Sequence, residues 1–397
     1  MYFRKKLIEV IIFSILIFIL ISTDLKQIYP IYGSHLFQDW IYIFIHSTND
    51  CDHNFLFSDY KYVNGCKEYL NSNFVYPKIW LKLLKIITSS KIFEFILILT
   101  IFVFIYFNLE ILEEVPIWSK ILFLLSPIAI LLFERGNNDI VIFIIVYLFA
   151  SFYNKKNIFL SSIFLFLGCL LKIYTISLIP MFLIHNKKKK SLILIIIISS
   201  VLLYISNFEY ILNNYNKSGL LLSFSSSVYI KILNSLFNLN INYKIFSILL
   251  LLAIIFFSLA FKINLPKCKN KNEIYYLIGS SIIVSSFFLS EGFVYKLVFL
   301  SFTLPLIHEY KYKFNLGVYK YFLMLTYLAL FIEFFSFAIE NIFQINYIEF
   351  KKYPLLNFEN IFFSFSILFK NFIFWLLNIN LILVSTKIFI RKFKENF

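Results

Sequence analysis

Charged side chains are scarce in this sequence. Only 15% of its 397 residues are Asp, Glu, Lys or Arg, and 60% are apolar, whereas a soluble chain usually carries about a quarter charged residues. The apolar residues fall into runs of roughly 14–22, close to the length of about 20 that crosses a bilayer core. Because that core offers the backbone no water, each run must be helical. The shortage of charge therefore excludes a soluble domain and predicts an all-α, polytopic membrane protein, with one integral membrane domain over residues 1–397.

The usual motifs of soluble enzymes are also missing. Glycine occurs only 8 times, and the sequence has no glycine-rich phosphate loop, nucleophile elbow or nucleotide-binding pattern. Histidines lie near acidic residues in the first loop, but without a recognisable metal-ligand spacing; they are His35, His46 and His53. The net charge of +15 lies mainly in short loops between apolar runs, which is the pattern that orients a membrane protein. We therefore expect no metal, no cofactor and no nucleic-acid partner.

Hydropathy predicts about twelve membrane spans. The first, Leu7–Ser22, follows the basic segment 3–6 and lacks a small-residue cleavage site, so we expect it to remain uncleaved. A lone lysine, Lys172, divides the apolar stretch 158–185 into two spans. The predicted spans lie near 7–23, 92–109, 117–133, 140–153, 158–171, 173–185, 191–207, 245–262, 274–290, 295–308, 318–338 and 361–384.

Lysine-rich loops fix the predicted orientation, because cytoplasmic loops carry the excess of Lys and Arg. With both termini in the cytoplasm, the loops at 155–156, 187–190, 262–271, 311–320 and 387–394 all lie inside. Treating 158–185 as one span would move the lysines of 187–190 outside, which favours the break at Lys172. The polar segments that then share the external side are 24–91, 134–139, Lys172, 208–244, 291–296 and 339–360.

The long external loop between the first two spans, residues 24–91, carries six acidic residues, and Asp39 differs from the others by its surroundings. It lies within the apolar and aromatic stretch 36–45, which can form an amphipathic helix at the membrane interface. An acid held there could face a substrate that enters from the membrane. The alternative is an ordinary solvated loop acid, and this is what we expect of most of the others.

The four cysteines divide between two environments. Cys51 and Cys66 share the external loop, where oxidation is possible. A disulfide between them would contribute roughly 3 kcal/mol by closing a loop of about fifteen residues. Cys169 lies in a predicted span and Cys268 in a predicted cytoplasmic loop, so both should stay reduced.

Positive side chains occur at three breaks between apolar spans. Arg135 belongs to the polar turn 134–139, whereas Lys172 and Lys296 each lie at the end of a predicted span. Charge at such depth is costly and usually faces a partner or a cavity, and a guanidinium suits phosphate. Three cations on the external side thus indicate a site for a lipid-linked phosphate. The alternatives are a short turn in which Arg135 pairs with an acid of the same turn, and lysines that extend to the membrane surface.

Short motifs follow one another in order between about residues 30 and 190. They are Asp39-Trp40-Ile41-Tyr42, Asn73-Phe74-Val75-Tyr76-Pro77, Arg135-Gly136-Asn137-Asn138-Asp139, Asn154-Lys155-Lys156, Gly168-Cys169-Leu170-Leu171-Lys172, Ile179-Pro180 and the basic cluster 187–190. Together they resemble glycosyltransferase family 87 and related membrane glycosyltransferases of the GT-C fold class. The chain departs from the family at Asn137, where Gln is frequent, and after Tyr76, where two prolines are common. These departures leave the subfamily and the sugar open.

The resemblance implies a GT-C-like fold and an inverting hexosyltransferase. The enzyme would move a sugar such as mannose from polyprenyl phosphate to a lipid-linked or cell-envelope glycan acceptor, on the external face of a bacterial cytoplasmic membrane. Asp39 would be the general base, with Asp24 as the runner-up. Arg135, Lys172 and Lys296 would bind the donor phosphate. The remaining residues of the site would be Glu134, Asn137, Asn138, Asp139, Tyr76, Glu291 and Tyr295.

Two other functions share some of these features. A transporter or flippase of lipid-linked or anionic solutes would also have intramembrane cations and polar helix breaks, although such proteins usually contain repeats and this sequence shows none. A polymerase or ligase of surface polysaccharide would share the substrates but not the motifs.

The predicted orientation can be tested with reporter fusions. Because the basic loops should lie inside, fusions after residues 190, 270 and 397 should report cytoplasm, and fusions after 60 and 225 should report the outside. Reporters at 60 and 190 on the same side of the membrane would contradict the orientation.

Overall fold

The structure, a computed structural model, describes a part of the chain that is almost entirely helical. The described residues are 2–22, 44, 90–184, 223–230, 234, 241–260, 265–289, 292–314, 316–343 and 358–396. Several expectations fall on other residues and so lie outside the described part. They are the first-loop residues Asp24, Asp39, Cys51, Cys66 and Tyr76, the residue Glu291, the span near 191–207 and the basic cluster 187–190.

The α-helices follow the predicted apolar runs. They are α1 (Tyr2–Ser22), α2 (Ser90–Ile111), α3 (Ile117–Leu124), α4 (Pro127–Arg135), α5 (Asp139–Asn154), α6 (Ile158–Leu171), α7 (Tyr243–Ala260), α8 (Asn270–Leu289), α9 (Leu304–Tyr312), α10 (Gly317–Phe343) and α11 (Phe358–Asn396). Two 3-10 helices cover Ile173–Ile184 and Val294–Phe302. Two short strands, β1 (Ser223–Phe224) and β2 (Gly292–Phe293), pair antiparallel with Ser223 opposite Phe293.

Three of the described helices are long and apolar enough to cross a membrane, namely Lys91–Ile111, Gly317–Phe334 and Phe365–Glu395. A fourth candidate is the pair α3 and α4, which is bent by 47° where the sequence predicts one span near 117–133. The bend has a local cause: proline disfavours a helical conformation in the residue before it, Ser126, and Pro127 then starts the next helix. The shorter apolar helices are Asp139–Asn154, Ile158–Leu171 and Ile245–Ala260. The described residues thus support a membrane protein and part of the predicted set of spans.

Two predicted spans, near 173–185 and 295–308, differ from expectation because each begins with a 3-10 helix. The first has Pro180 in its interior, whose ring would clash with the carbonyl of the residue four positions earlier in an α-helix. A 3-10 helix also rises about 2.0 Å per residue against about 1.5 Å in an α-helix. Ile173–Ile184 therefore reaches about a third further than an α-helix of the same length.

The first of two compact units comprises Met1–Glu113, Ala129–Ile176 and Ser191–Asn214. In it α1 packs on α2, α2 on α5, and α5 on α6. Aromatic rings fill the contact between α2 and α5: Phe107 stacks on Tyr147 with ring centroids 4.1 Å apart. Lys6 of α1 lies 3.5 Å from Glu110 of α2, so a charge pair joins these two helices at one end.

The second unit comprises Glu114–Ile128, Ser177–Lys190 and Tyr215–Phe397. In it α10 packs along α11, while α8 contacts both α11 and the 3-10 helix Val294–Phe302. Gly279 permits the closest of these approaches, because a Cβ atom there would lie 2.7 Å from Cβ of Phe302 and 2.8 Å from the carbonyl oxygen of Phe299. A larger residue at this position would separate α8 from the 3-10 helix.

Helices α4 and α5 each end in a hydrogen-bonded turn of the same type. At the end of α4, Gly136 has φ 54°, and the N–H groups of Gly136 and Asn137 donate to the carbonyls of Phe133 and Leu132 at 3.0 and 3.2 Å. At the end of α5, Lys156 takes the same role with φ 59°. This is the Schellman motif, in which glycine is the favoured residue because it tolerates positive φ.

We expect the substitution Lys156→Gly to stabilise the protein and Gly136→Ala to destabilise it, each by about 1 kcal/mol, because a side chain in the left-handed region is strained. Thermal unfolding of the purified protein in detergent would measure both changes. Lys155→Gly is the matched control, since Lys155 has φ −76° and gains no relief from glycine. Equal effects of glycine at 155 and 156 would contradict the strain at Lys156.

Candidate functional site

The turn between α4 and α5 gathers four buried polar residues. Glu134, Asn137, Asn138 and Asp139 are each at most 2% exposed. The turn satisfies its own backbone: Gly136 and Asn137 cap the end of α4, and Oδ1 of Asn137 accepts the N–H of Asp139 at 2.9 Å. This capping leaves the side chains of Asn138 and Asp139 available for other contacts.

Asp139, at the first position of α5, is the centre of this cluster. Its Oδ1 accepts a hydrogen bond from the Tyr174 hydroxyl at 2.7 Å and lies 3.5 Å from Nζ of Lys172. The aspartate side chain is fully buried, whereas the Lys172 side chain is 20% exposed. A carboxylate at the N-terminus of a helix is also stabilised by the helix dipole. The structure therefore brings together Lys172 and Asp139, which are 33 positions apart in the sequence.

Lys172 reaches Asp139 because α6 ends at Leu171, where the sequence predicts the break. Lys172 is extended, with φ −151° and ψ 125°, and its carbonyl accepts from the Thr175 hydroxyl at 2.7 Å. Gly168 allows Thr175 to fold back, because a Cβ atom at Gly168 would lie 3.3 Å from the Thr175 hydroxyl oxygen. Gly168, Lys172 and Thr175 thus form one compact turn that presents both Lys172 and Tyr174 to α5.

Some polar atoms of the cluster have no hydrogen-bond partner within the described residues. They are Nδ2 and Oδ1 of Asn138 and Oδ2 of Asp139. Buried polar atoms are nearly always paired, so these atoms indicate groups that a ligand or water can satisfy. The pair Lys172 and Asp139 is electrically neutral as a whole. The cluster therefore offers both hydrogen-bond donors and acceptors rather than a purely positive surface.

The other described residues of the predicted site belong to other elements. Arg135 is the last residue of α4. Tyr295 and Lys296 belong to the second unit, in the 3-10 helix Val294–Phe302, and they are 3% and 6% exposed. Lys296 is therefore buried. The sequence had left open the alternative that its side chain extends to the membrane surface. Within the described part, no group of three or more His, Cys, Asp and Glu side chains could hold a metal ion.

The three C-terminal basic segments meet at one end of the second unit. Glu273 of α8 accepts from Arg391 at 2.6 Å and from the N–H of Cys268 at 2.8 Å, and its other oxygen lies 2.8 Å from Lys392. Burial, followed by the charges of Glu309 and Glu273, raises the pKa of the Cys268 thiol to about 12. That thiol therefore stays protonated.

Sequence reasoning missed a buried ion pair between α10 and α11. Nζ of Lys370 lies 3.2 Å from Oε1 of Glu333, and the two side chains are 0% and 1% exposed. Both residues lie in helices that could cross a membrane. The signal was present in the sequence, since each is a lone charge within an apolar run, as Lys172 is.

We expect Lys370→Met to destabilise the protein by about 3–5 kcal/mol, because it leaves a buried carboxylate without its counter-charge. The double variant Glu333→Met with Lys370→Met should recover most of this loss, since it removes both charges. Chemical unfolding in detergent would measure the differences. Lys313, whose side chain is 59% exposed and lies 3.2 Å from Glu309, supplies the control: Lys313→Met should change stability by less than about 1 kcal/mol. A Lys370→Met variant as stable as Lys313→Met would contradict the buried pairing.

No protein-family model matches this chain, and neither a curated protein nor a solved structure does. The family resemblance consequently rests on the short motifs quoted above. Within the described residues, the feature that bears on function is the polar cluster formed by Asn138, Asp139, Lys172 and Tyr174.

Proposed function

We propose that this protein is a polytopic membrane glycosyltransferase that takes its sugar from a polyprenyl-phosphate donor. It would have about twelve spans in a GT-C-like arrangement, with both termini in the cytoplasm and the site on the external face of the cytoplasmic membrane. The acceptor would be a lipid-linked or cell-envelope glycan. The candidate spans Lys91–Ile111, Gly317–Phe334 and Phe365–Glu395 support the membrane location.

The observation that carries the proposal is the contact between Lys172 and Asp139 at a helix break. Lys172 lies between α6 and a 3-10 helix, and its side chain remains 20% exposed although its carboxylate partner is fully buried. A cation that is held in place and still accessible suits a phosphodiester, which carries one negative charge. The N-terminus of α5 adds positive potential on the same side of the turn, and Arg135 ends the adjacent helix.

The reaction would be a single displacement at the anomeric carbon of the donor. The acceptor hydroxyl oxygen attacks that carbon, and its proton passes to the carboxylate of Asp39. The bond between the anomeric carbon and the phosphate oxygen breaks, so polyprenyl phosphate leaves with one additional negative charge. Lys172 and Arg135 would stabilise that charge. Attack from the side opposite the leaving group inverts the anomeric centre.

A carrier of lipid-linked or anionic solutes is the second candidate. The observation that favours it is the pair Glu333 and Lys370, buried between two candidate spans, because intramembrane charges frequently mark ion or substrate pathways. The two candidates differ in their product. A carrier leaves the bond between sugar and phosphate intact, whereas a transferase breaks it.

The catalytic prediction concerns Asp39. Loss of a general base typically lowers the rate by about 10²–10⁴-fold, so Asp39→Asn should nearly abolish transfer and leave donor binding intact. Lys172→Met and Arg135→Ala should weaken donor binding as well, since each removes a charge from the phosphate site. Transfer of radiolabelled sugar from polyprenyl phosphate in proteoliposomes would measure all three.

Asp59→Asn is the matched control, because it removes another acid of the same loop and should leave transfer near normal. If Asp24→Asn lost activity and Asp39→Asn retained it, the general base would be Asp24. Full activity in both variants would contradict the proposed mechanism and favour the carrier.

A further inference from the structure

Asn138 presents a buried amide that the fold does not use. Its Nδ2 and Oδ1 atoms have no hydrogen-bond partner within the described residues, and its side chain is fully buried. It makes no side-chain cap at the start of α5; the N–H of Asp139 is instead taken by Asn137. An aliphatic residue would satisfy the packing without leaving two polar atoms unpaired. The position therefore holds an amide for a contact other than capping.

Asp139 adds a second group of the same kind beside it. Its Oδ1 is used by Tyr174 and Lys172, whereas Oδ2 has no hydrogen-bond partner within the described residues. An ionised carboxylate only accepts hydrogen bonds. It can therefore bind a hydroxyl, and it repels a phosphate oxygen, which is itself an acceptor.

The combined chemistry matches a sugar better than a phosphate. A sugar hydroxyl both donates and accepts, so it can donate to Oδ2 of Asp139 and accept from Nδ2 of Asn138. A phosphodiester has only acceptors and a negative charge, and among these groups only Lys172 offers it a cation. The distance of 3.5 Å between Lys172 and Asp139 exceeds that of a charge-assisted hydrogen bond, about 2.7–2.9 Å. The two groups thus form an ion pair without a close charge-assisted hydrogen bond.

We propose that Asn138 and Asp139 bind hydroxyl groups of the sugar, while Lys172 binds the phosphate to which the sugar is attached. The proposal rests on the proposed function and divides its donor site into two parts. Asn138 and Asp139 would then determine which hexose is accepted, and Lys172 would bind every polyprenyl phosphate regardless of its sugar. Asp139 would also position Lys172, since it holds the ammonium in the absence of donor.

Binding of two probes separates the two parts. One probe is undecaprenyl phosphate, and the other is a set of undecaprenyl phosphate hexoses that differ at single hydroxyls; affinities are measured on the full-length protein in nanodiscs. Asn138→Ala and Asp139→Asn should each lower the affinity for the preferred hexose-bearing donor at least tenfold. Asp139→Asn should leave undecaprenyl phosphate binding unchanged or tighter, because it removes one negative charge beside Lys172. Lys172→Met should lower the affinity for both probes by the same factor.

One control addresses folding. Asn157→Ala removes the side-chain cap of α6, where Oδ1 of Asn157 accepts the N–H of Leu160 at 3.2 Å, so it perturbs a neighbouring turn outside the cluster. This variant should retain the preference among hexoses that the unmodified protein shows.

The outcomes distinguish this inference from the proposed function. Equal weakening of bare and hexose-bearing undecaprenyl phosphate by Asn138→Ala and Asp139→Asn would overturn the division of the site and leave the transferase proposal standing. If the unmodified protein bound neither probe, the proposed function itself would be overturned. Tight binding of a soluble hexose 1-phosphate, with no gain from the lipid, would assign the cluster to a water-soluble sugar phosphate and also overturn the inference.

Discussion

A charged side chain in an apolar helical protein must find a group of opposite charge, and this requirement organises both units. The free-energy cost of removing a single ion from water is far larger than the stabilisation that contact with an apolar side chain can provide. Lys6 accordingly lies against Glu110, Lys172 against Asp139, and Lys370 against Glu333. The three pairs join α1 to α2, the start of α5 to the end of α6, and α10 to α11, so each supports a packing contact between two helices.

The same requirement applies to the backbone wherever a helix ends. In an apolar environment the free carbonyl and N–H groups of a helix end have no water to bind, so each turn has to supply the partners. The ends of α4 and α5 do so with two backbone hydrogen bonds each, and Asn137 and Asn157 then accept N–H groups of the next helix. The asparagines in these turns are therefore explained by capping, with Asn138 as the exception.

Within the described residues, sequence patterns located most of the helices, because apolar length and lone charges are local properties. The break at Lys172 is an example: α6 ends one residue before it, as the isolated charge indicated. The partner of Lys172 was not predictable, since it depends on how α6 packs against α5. The 3-10 conformation of Ile173–Ile184 was missed for a related reason, because hydropathy does not distinguish an α-helix from a 3-10 helix. Glu333 and Lys370 were overlooked although each is a lone charge within a run.

The pairs Glu333–Lys370 and Asp139–Lys172 differ in the exposure of their lysine side chains. Glu333 and Lys370 are almost completely enclosed, so a solute would reach either charge only when α10 and α11 move apart, as a carrier would require. Asp139 is enclosed as well, but its partner Lys172 is partly exposed and the contact is longer. A pair that only fixes packing gains stability from being short and dry, whereas a pair that exchanges its partner for a substrate must keep one side accessible. The pair of Lys172 and Asp139 meets that second condition, and the unused amide of Asn138 beside it supplies the polar groups that such an exchange requires.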